Sequence, residues 1–175
     1  MGGYYSPYKN PKLEDGPEGE YLTDRLTKET IDFIDSRNES KPFAAFLAFY
    51  NVHTPIQENK EFYDYYVEKL NGYEDIEPVT RKEGDAITRL NQRNAKYASM
   101  VHATDNNIGK IINYLKKNNL YDNTLIVFTS DNGGLTTQNR IAPTSVYPLR
   151  AGKGWLYEGG IKIPQLIKLP KQVYR

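Results

Sequence analysis

An uninterrupted apolar run, Phe43-Ala44-Ala45-Phe46-Leu47-Ala48-Phe49-Tyr50, constrains the fold of this chain more than any other feature. It lies between Pro42 and the segment Asn51-Val52-His53-Thr54-Pro55, and both flanks are typical of turns. A continuous apolar run of this length is typical of a β-strand that is buried on both faces. A buried helical segment has the same pattern, but the shortness of the run favours a strand. The β-branched, apolar segment 124–129 predicts a second buried strand.

Helices are predicted around these strands. Apolar residues at the helical period predict helices over residues 21–38 and 87–119, and a short aromatic segment predicts another helix between them, over 61–70. In the third helix, apolar positions such as Val101 and Leu115 are expected to face the core. A weaker strand is predicted over 161–169, and turn-forming residues predict an irregular segment at 1–20 and a long exposed loop at 135–150. This alternation predicts an α/β fold with a mostly parallel sheet flanked by helices.

Composition excludes several classes of function. The chain has 175 residues, which suits one domain or part of a larger one. A net charge of +1 argues against a nucleic-acid partner, because nucleic-acid binders carry a basic excess. No stretch approaches the roughly 20 apolar residues that a membrane-spanning helix needs, so no membrane segment is predicted. The absence of cysteine excludes disulfides and thiolate metal sites within these residues.

Polar side chains directly follow the two predicted strands. His53 comes after the first strand, and Asp131-Asn132 comes after the second. In parallel α/β sheets, ligands bind beyond the carboxyl ends of the strands, so these residues are candidates for one site. Carboxylate and amide oxygens suit Ca²⁺ or Mg²⁺. Two structural alternatives stay open: Asn132-Gly133 could form a tight hairpin turn, and His53 could be an ordinary loop residue. His102, inside the third helix, is interpreted as structural.

A lysine between two glycines, Gly152-Lys153-Gly154, is a further candidate. The segment is not a phosphate-binding P-loop, because Tyr147 stands where that motif requires glycine and Gly154 where it requires Ser or Thr. The flanking glycines would let the backbone approach an anion closely, and the ammonium would supply a point charge.

Four stretches of the sequence together resemble a known family. They are Gly19 to Leu26, Lys41 to Pro55, Asn118 to Gly134 and Pro148 to Ile161. Their order and spacing resemble the type I sulfatases, the arylsulfatase branch of the alkaline phosphatase superfamily, over about Gly19 to Pro170. The resemblance implies an alkaline-phosphatase-like α/β fold and hydrolysis of sulfate monoesters.

The resemblance also implies roles for the candidate residues. Asp131 and Asn132 match two ligands of a catalytic Ca²⁺. His53 matches a histidine that contacts the sulfate and is a candidate to protonate the leaving oxygen. Lys153 matches a lysine that binds the sulfate and steadies charge on the departing alkoxide. These roles are coherent, because negative charge builds on the leaving oxygen when a sulfate ester is cleaved.

The sequence departs from the family pattern at the nucleophile. Sulfatases use formylglycine, made from the Cys or Ser of a Cys/Ser-x-Pro-x-Arg element, and no such element occurs here. The other metal ligands of the family also have no counterpart. The chain therefore resembles a partial domain: an irregular loop at 1–20 followed by the central part of the catalytic domain at 21–175. We expect these residues alone to have an incomplete Ca²⁺ site and no activity on sulfate esters.

Two other functions remain open. One is a related phosphatase or phosphodiesterase of the same superfamily, which would need more metal-binding histidines. The other is a truncated, non-catalytic protein that binds anions or glycans. The partner implied by the resemblance is a sulfate ester, with a sulfated glycan as one form, and a homo-oligomer is left open. Family members are periplasmic, secreted or lysosomal, which does not fix the localisation of this chain.

Overall fold

The computed structural model describes residues 3–75 and 77–171. The helices are α1 (Leu22–Asp35), α2 (Lys60–Asn71), α3 (Ala95–Lys117) and the short α4 (Glu158–Ile161), with a 3₁₀ turn at Tyr121–Asn123. The strands are β1 (Thr80–Glu83), β2 (Ala86–Arg89), β3 (Ile126–Thr129), β4 (Thr137–Gln138) and β5 (Gln165–Lys168). None of the helices in the described ranges has the length and apolar character that crossing a membrane requires.

The described residues form two compact units. The first unit comprises residues up to 66 together with 96–122, and the second comprises 67–95 together with the residues from 123 onward. The first unit has a core of Tyr4, Tyr21, Met100 and Ala103. The rings of Tyr4 and Tyr21 stack with their centroids 5.7 Å apart. Residues 3–20 contain no helix and only isolated bridges, yet Tyr4 and Tyr8 are buried.

The second unit contains both sheets. Its first sheet has the order β1-β2-β4, and the other pairs β3 with β5. Every one of these described pairs is antiparallel, so the mostly parallel pairing predicted from the sequence is not found among the described strands. The reason is local: β1 and β2 form a hairpin, and β5 returns alongside β3 in the opposite direction.

The predicted strand over 43–50 is not formed. These residues belong to neither a helix nor a strand, and Phe46 is 97% exposed. A strand requires hydrogen bonds to a neighbouring strand, and none of the described strands pairs with this segment. No residue of the apolar run is therefore fully buried in this structure. The predicted strands over 124–129 and 161–169 are confirmed in shortened form as β3 and β5.

The helix predicted over 87–119 begins later than expected. Residues Ala86–Arg89 form β2, because Gly84-Asp85 makes a two-residue turn that pairs Glu83 with Ala86. Gly84 has a φ of +57°, which glycine adopts without strain.

The buried side of α3 also differs from the prediction: Val101 is 47% exposed, whereas Met100 and Asn107 are buried. The polar Asn107 on the buried side obscured the apolar pattern.

The predicted long exposed loop at 135–150 is partly buried. It contains β4, and its residues Ala142 and Thr144 are covered. The Arg89 guanidinium donates to the carbonyl oxygen of Ala142 at 2.9 Å. The Thr144 hydroxyl donates to Gln92 Oε1, also at 2.9 Å. Polar side chains thus fix this loop from within, which its polar composition did not reveal.

Candidate functional site

Asp131 and Asn132 follow β3 directly, separated from it by Ser130. Asp131 is exposed and Asn132 is half-buried, and neither side chain has a hydrogen-bond or ionic partner within residues 3–75 and 77–171. The Ser130 hydroxyl donates to the carbonyl oxygen of Asn132 at 2.9 Å, which helps to fix the turn. The two side chains therefore offer free oxygen atoms to a ligand.

The hairpin alternative for Asn132-Gly133 is wrong. A hairpin turn would join two strands that pair with each other, but β3 pairs with β5 and β4 pairs with β2. The amide of Gly133 instead donates to the carbonyl oxygen of Gly160 at 2.9 Å. The turn after β3 is thus held by a segment that lies far away in the sequence.

Two glycines allow the loop after β3 to pack directly against later backbone. A Cβ atom at Gly133 would lie 1.8 Å from the carbonyl oxygen of Gly159, and a Cβ atom at Gly152 would lie 2.4 Å from that of Gly134. Both distances are far below van der Waals contact, so only glycine fits at either position. The backbone amide of Lys153 donates to the carbonyl oxygen of Gly134 at 2.9 Å. This packing joins the Lys153 loop to the Asp131–Asn132 loop.

Lys153 supplies an unpaired cation beside these loops. Its side chain is half-buried, and in the described part of the chain its ammonium has neither an ion pair nor a hydrogen bond. The next residue, Gly154, has a φ of +87°, which the turn requires. The structure thus places Asp131, Asn132 and Lys153 in one glycine-packed cluster within the second unit.

An ion pair that the sequence analysis missed supports the Lys153 loop. The Arg150 guanidinium contacts the Glu83 carboxylate through Nε at 3.1 Å and Nη2 at 2.7 Å, while Glu83 itself is only 8% exposed. The guanidinium also lies 3.8 Å from the centre of the Tyr157 ring. The hydrogen bonds from Arg150 lower the pKa of the Glu83 carboxyl below its ordinary value of 4.5. The β1–β2 hairpin therefore anchors the loop that carries Lys153.

This pair predicts an acid-dependent loss of stability. Because the pKa of Glu83 is lower in the folded state, its ionised carboxylate stabilises the fold above pH 4.5, and this contribution disappears as the pH falls through the lowered pKa. We expect Glu83→Gln to destabilise the protein at neutral pH, with the difference from the unmodified protein shrinking towards pH 3. Urea denaturation of both proteins between neutral pH and pH 3 measures this difference in the free energy of unfolding. Glu158→Gln, at an exposed pair with Lys162, is the matched control. A destabilisation by Glu83→Gln that is the same at every pH would contradict the prediction.

His53 lies in the first unit, after the segment 43–50. Its imidazole is exposed, and Nδ1 lies 2.9 Å from the carbonyl oxygen of Thr54. A carbonyl oxygen only accepts hydrogen bonds, so Nδ1 must be the donor. Nε2 is then the nitrogen that can gain and give a proton towards a ligand. The other three candidates, Asp131, Asn132 and Lys153, lie in the second unit.

Buried polar groups hold the His53 segment in place. The Tyr4 hydroxyl donates to the carbonyl oxygens of Tyr50 and His53, at 2.7 and 2.9 Å. Burial raises the pKa of Tyr4 to about 12, so its hydroxyl keeps its proton. The Asn51 side chain accepts from Thr23 at 2.7 Å and donates to the carbonyl oxygen of Met100 at 2.9 Å. Sequence reasoning missed Tyr4 and Asn51, since their partners are distant in the chain.

His102 has a packing role. Its ring stacks on Phe62 with the centroids 3.9 Å apart. The Tyr66 hydroxyl lies 3.4 Å from its Nδ1. The interpretation of His102 as structural agrees with these contacts.

The donor set can be tested against Ca²⁺. Free carboxylate and amide oxygens, as at Asp131 and Asn132, are the ligand types that Ca²⁺ prefers. Ca²⁺ takes about six to eight oxygens, however, and the described residues contain no group of three or more His, Cys, Asp or Glu that could hold a metal. Asp131 and Asn132 are thus of the ligand type that Ca²⁺ takes, but two residues are fewer than a calcium site needs.

Comparisons with known proteins agree on one family. A family model described as Sulfatase matches residues 2–173. The chain is 31% identical over 170 residues to a sulfatase of Formosa agariphila, and 28% identical over 167 residues to arylsulfatase J of Mus musculus. These alignments cover 92% and 95% of this chain but only 27% and 24% of the two relatives.

A solved structure gives the same result for the fold. Ps i-CgsB, in complex with k-i-k-neocarrahexaose, matches with a TM-score of 0.68 and 36% identity, over 93% of this chain and 31% of that chain. The α/β fold class of the sulfatases, predicted from the sequence, is thereby confirmed, and this chain corresponds to part of that fold.

Proposed function

The chain belongs to the sulfatase family, and we propose that the native protein carrying this sequence hydrolyses sulfate monoesters with the help of Ca²⁺. The observation that carries the proposal is the cluster in the second unit: Asp131, Asn132 and Lys153 lie on backbone segments packed together by Gly133 and Gly152, and their polar groups are unpaired among the described residues. An unpaired cation on a closely packed backbone is what a site for an anionic substrate requires, and the unpaired oxygens of Asp131 and Asn132 are free to bind a metal ion.

Lys153 acts on the sulfate group. Its ammonium is a compact point charge that attracts the sulfuryl oxygens and stabilises the negative charge that grows on the leaving oxygen. The hydrogen bond from its backbone amide to Gly134 fixes the start of the side chain, and the ion pair of Arg150 with Glu83 fixes the loop. The backbone that carries this charge is therefore held in place before substrate arrives, which reduces reorganisation during the reaction.

His53 gives a proton to the leaving oxygen. The bond from Nδ1 to the carbonyl oxygen of Thr54 orients the ring, and the proton that is transferred is carried by Nε2. After the S–O bond breaks, the alcohol leaves neutral and Nε2 is left ready to take a proton. The contacts of Tyr4 with this backbone restrict the movement of the segment.

Asp131 and Asn132 would hold Ca²⁺ through their side-chain oxygens. When bound there, Ca²⁺ would supply Lewis-acid neutralisation of the sulfuryl oxygens. The formylglycine nucleophile that the resemblance implies has no counterpart in a chain without cysteine or a Ser-x-Pro-x-Arg element. We propose that the nucleophile and the remaining metal ligands are supplied from outside these 175 residues.

Removal of one proposed ligand tests the metal site. We expect Asp131→Ala to weaken Ca²⁺ binding by the native protein by about tenfold to a hundredfold or more, since the change removes the only carboxylate proposed here. Titration calorimetry after chelation measures the affinity. Asp64→Ala, at an exposed aspartate on α2, is the matched control and should bind Ca²⁺ normally. Equal affinities for all three proteins would contradict the assignment.

A further inference from the structure

The second unit contains an open cleft that none of the proposed roles uses. Its volume is about 500 Å³, and it is lined by Ala86, Thr137, Gln138, Asn139, Arg140 and Trp155. Its residues come from the β2–β4 edge of the first sheet, the segment after β4 and the Lys153 loop.

The residues that line the cleft suit a ligand that is anionic and partly apolar. Arg140 is exposed, and its guanidinium has no ionic partner in the described ranges. Among residues 3–75 and 77–171, no carboxylate lines the cleft, so none of them neutralises this positive charge there. Asn139 adds an exposed amide that can donate and accept hydrogen bonds.

Trp155 supplies a flat apolar surface to the same cleft. Its ring is half-buried and runs nearly parallel to that of Tyr157, at an angle of 17° and a centroid distance of 6.4 Å. On the β1–β2 hairpin, a Cβ atom at Gly84 would lie 3.9 Å from Cη2 of Trp155. The indole is thus supported by neighbouring elements instead of projecting freely.

We propose that this cleft binds a sulfated sugar unit of a glycan. Arg140 pairs with a sulfate group, because a guanidinium presents a planar fork of donors that matches two oxygens of an oxyanion. Trp155 contacts the apolar face of the sugar ring, and Asn139 contacts its hydroxyls. A flat ring, an unneutralised arginine and an amide together match this ligand better than an apolar molecule or a simple anion.

The position of the cleft connects it to the cluster around Lys153. Trp155 follows Lys153 by two residues, so their Cα atoms are at most roughly 7 Å apart. A single oligosaccharide can therefore reach both residues. This inference rests on the proposed function, because it takes the substrate to be a sulfate ester. It identifies that ester as a sulfated glycan, and the cleft then determines which substrates bind.

The test measures binding before it measures catalysis. Titration calorimetry is performed on the native protein with two sulfated hexasaccharides, a neocarrahexaose and a heparin hexasaccharide, and with their desulfated forms. We expect at least one sulfated form to bind, and Arg140→Ala to weaken that binding about tenfold or more, as loss of a charge-assisted contact does. Trp155→Ala should weaken it similarly. Trp155→Phe, which keeps an aromatic ring, should retain most of the affinity and shows that the loop still folds.

Lys82→Ala is the matched control. This exposed residue of β1 carries the same charge as Arg140 in the same unit but does not line the cleft. The proposal is overturned if neither sulfated hexasaccharide binds, if desulfated forms bind equally well, or if Lys82→Ala reduces binding as much as Arg140→Ala does.

A second readout separates this inference from the proposed function. Hydrolysis of 4-nitrophenyl sulfate needs no sugar subsite, so Arg140→Ala should lower kcat/KM for the sulfated hexasaccharide that binds much more than kcat/KM for 4-nitrophenyl sulfate, whereas Lys82→Ala should change neither. Binding through Arg140 without any hydrolysis would refute the proposed function and support the cleft. If the protein hydrolysed 4-nitrophenyl sulfate but Arg140→Ala did not change its affinity for the sulfated hexasaccharide, the proposed function would be supported and the cleft refuted.

Discussion

Replacing His53 by alanine is expected to lower the rate of sulfate release from an alkyl or sugar sulfate by about 10²- to 10⁴-fold, the usual contribution of a general acid. An alkoxide is a poor leaving group, so its departure depends on the proton carried by Nε2. 4-Nitrophenolate is a weak base and leaves without protonation, so the same variant should lose much less activity on 4-nitrophenyl sulfate. The measurement is kcat for both esters with the native protein and the variant.

The remaining histidine provides the control for this experiment. His102 stacks on Phe62 and has no proposed role in the reaction, so His102→Gln should leave both rates unchanged. If His53→Ala lowered both rates equally, His53 would position the substrate and would not protonate the leaving group. Unchanged rates on the sugar sulfate would remove His53 from the reaction altogether.

The largest effect on stability is expected for Gly133→Ala. The new Cβ atom would meet three backbone atoms of the opposite segment, at 1.8 Å from the carbonyl oxygen and 2.8 Å from the carbonyl carbon of Gly159 and 3.2 Å from Cα of Gly160. Backbone cannot rotate away as a side chain can, so the hydrogen bond from Gly133 to Gly160 must break. Overpacking with loss of one hydrogen bond should lower the free energy of unfolding by about 3 kcal/mol or more.

Chemical denaturation and amide hydrogen exchange together test this prediction. In Gly133→Ala, the amide of Lys153 should exchange faster, because its acceptor, Gly134, is displaced with the loop. Gly72→Ala is the control in the same unit: nothing lies within 4 Å of its added Cβ atom, and its stability should change by no more than about 0.5 kcal/mol. Identical unfolding of the two variants would show that the loops around Lys153 are not packed as described.

Local patterns in the sequence predicted the elements whose residues determine them locally. Helix α1 was predicted from apolar spacing, α2 from a short aromatic segment and β3 from its β-branched residues. The hairpin that precedes α3 could also have been predicted from the sequence, since Gly84-Asp85 is a common two-residue turn. Residues 43–50 could not be judged in this way, because a strand depends on a partner that its own sequence does not contain.

The candidate site was predicted as separate residues and not as an arrangement. Asp131, Asn132 and Lys153 were identified from their side-chain chemistry and a family resemblance. Their proximity depends on backbone contacts between glycines that are distant in the chain, Gly133 with Gly159 and Gly134 with Gly152, which no local pattern reports. The dense glycines at 133–134, 152–154 and 159–160 were the available signal: several glycines in facing segments indicate close backbone packing.

The central claim is that the native protein is a calcium-dependent enzyme acting on sulfate monoesters. The most direct test is to compare its hydrolysis of 4-nitrophenyl sulfate and 4-nitrophenyl phosphate, first with Ca²⁺ supplied and then after chelation. We predict that the sulfate ester is hydrolysed in preference to the phosphate ester, that chelation abolishes this activity, and that added Ca²⁺ restores it. Preferential hydrolysis of the phosphate ester, or no sulfate release by the folded, calcium-supplied protein, would contradict the account.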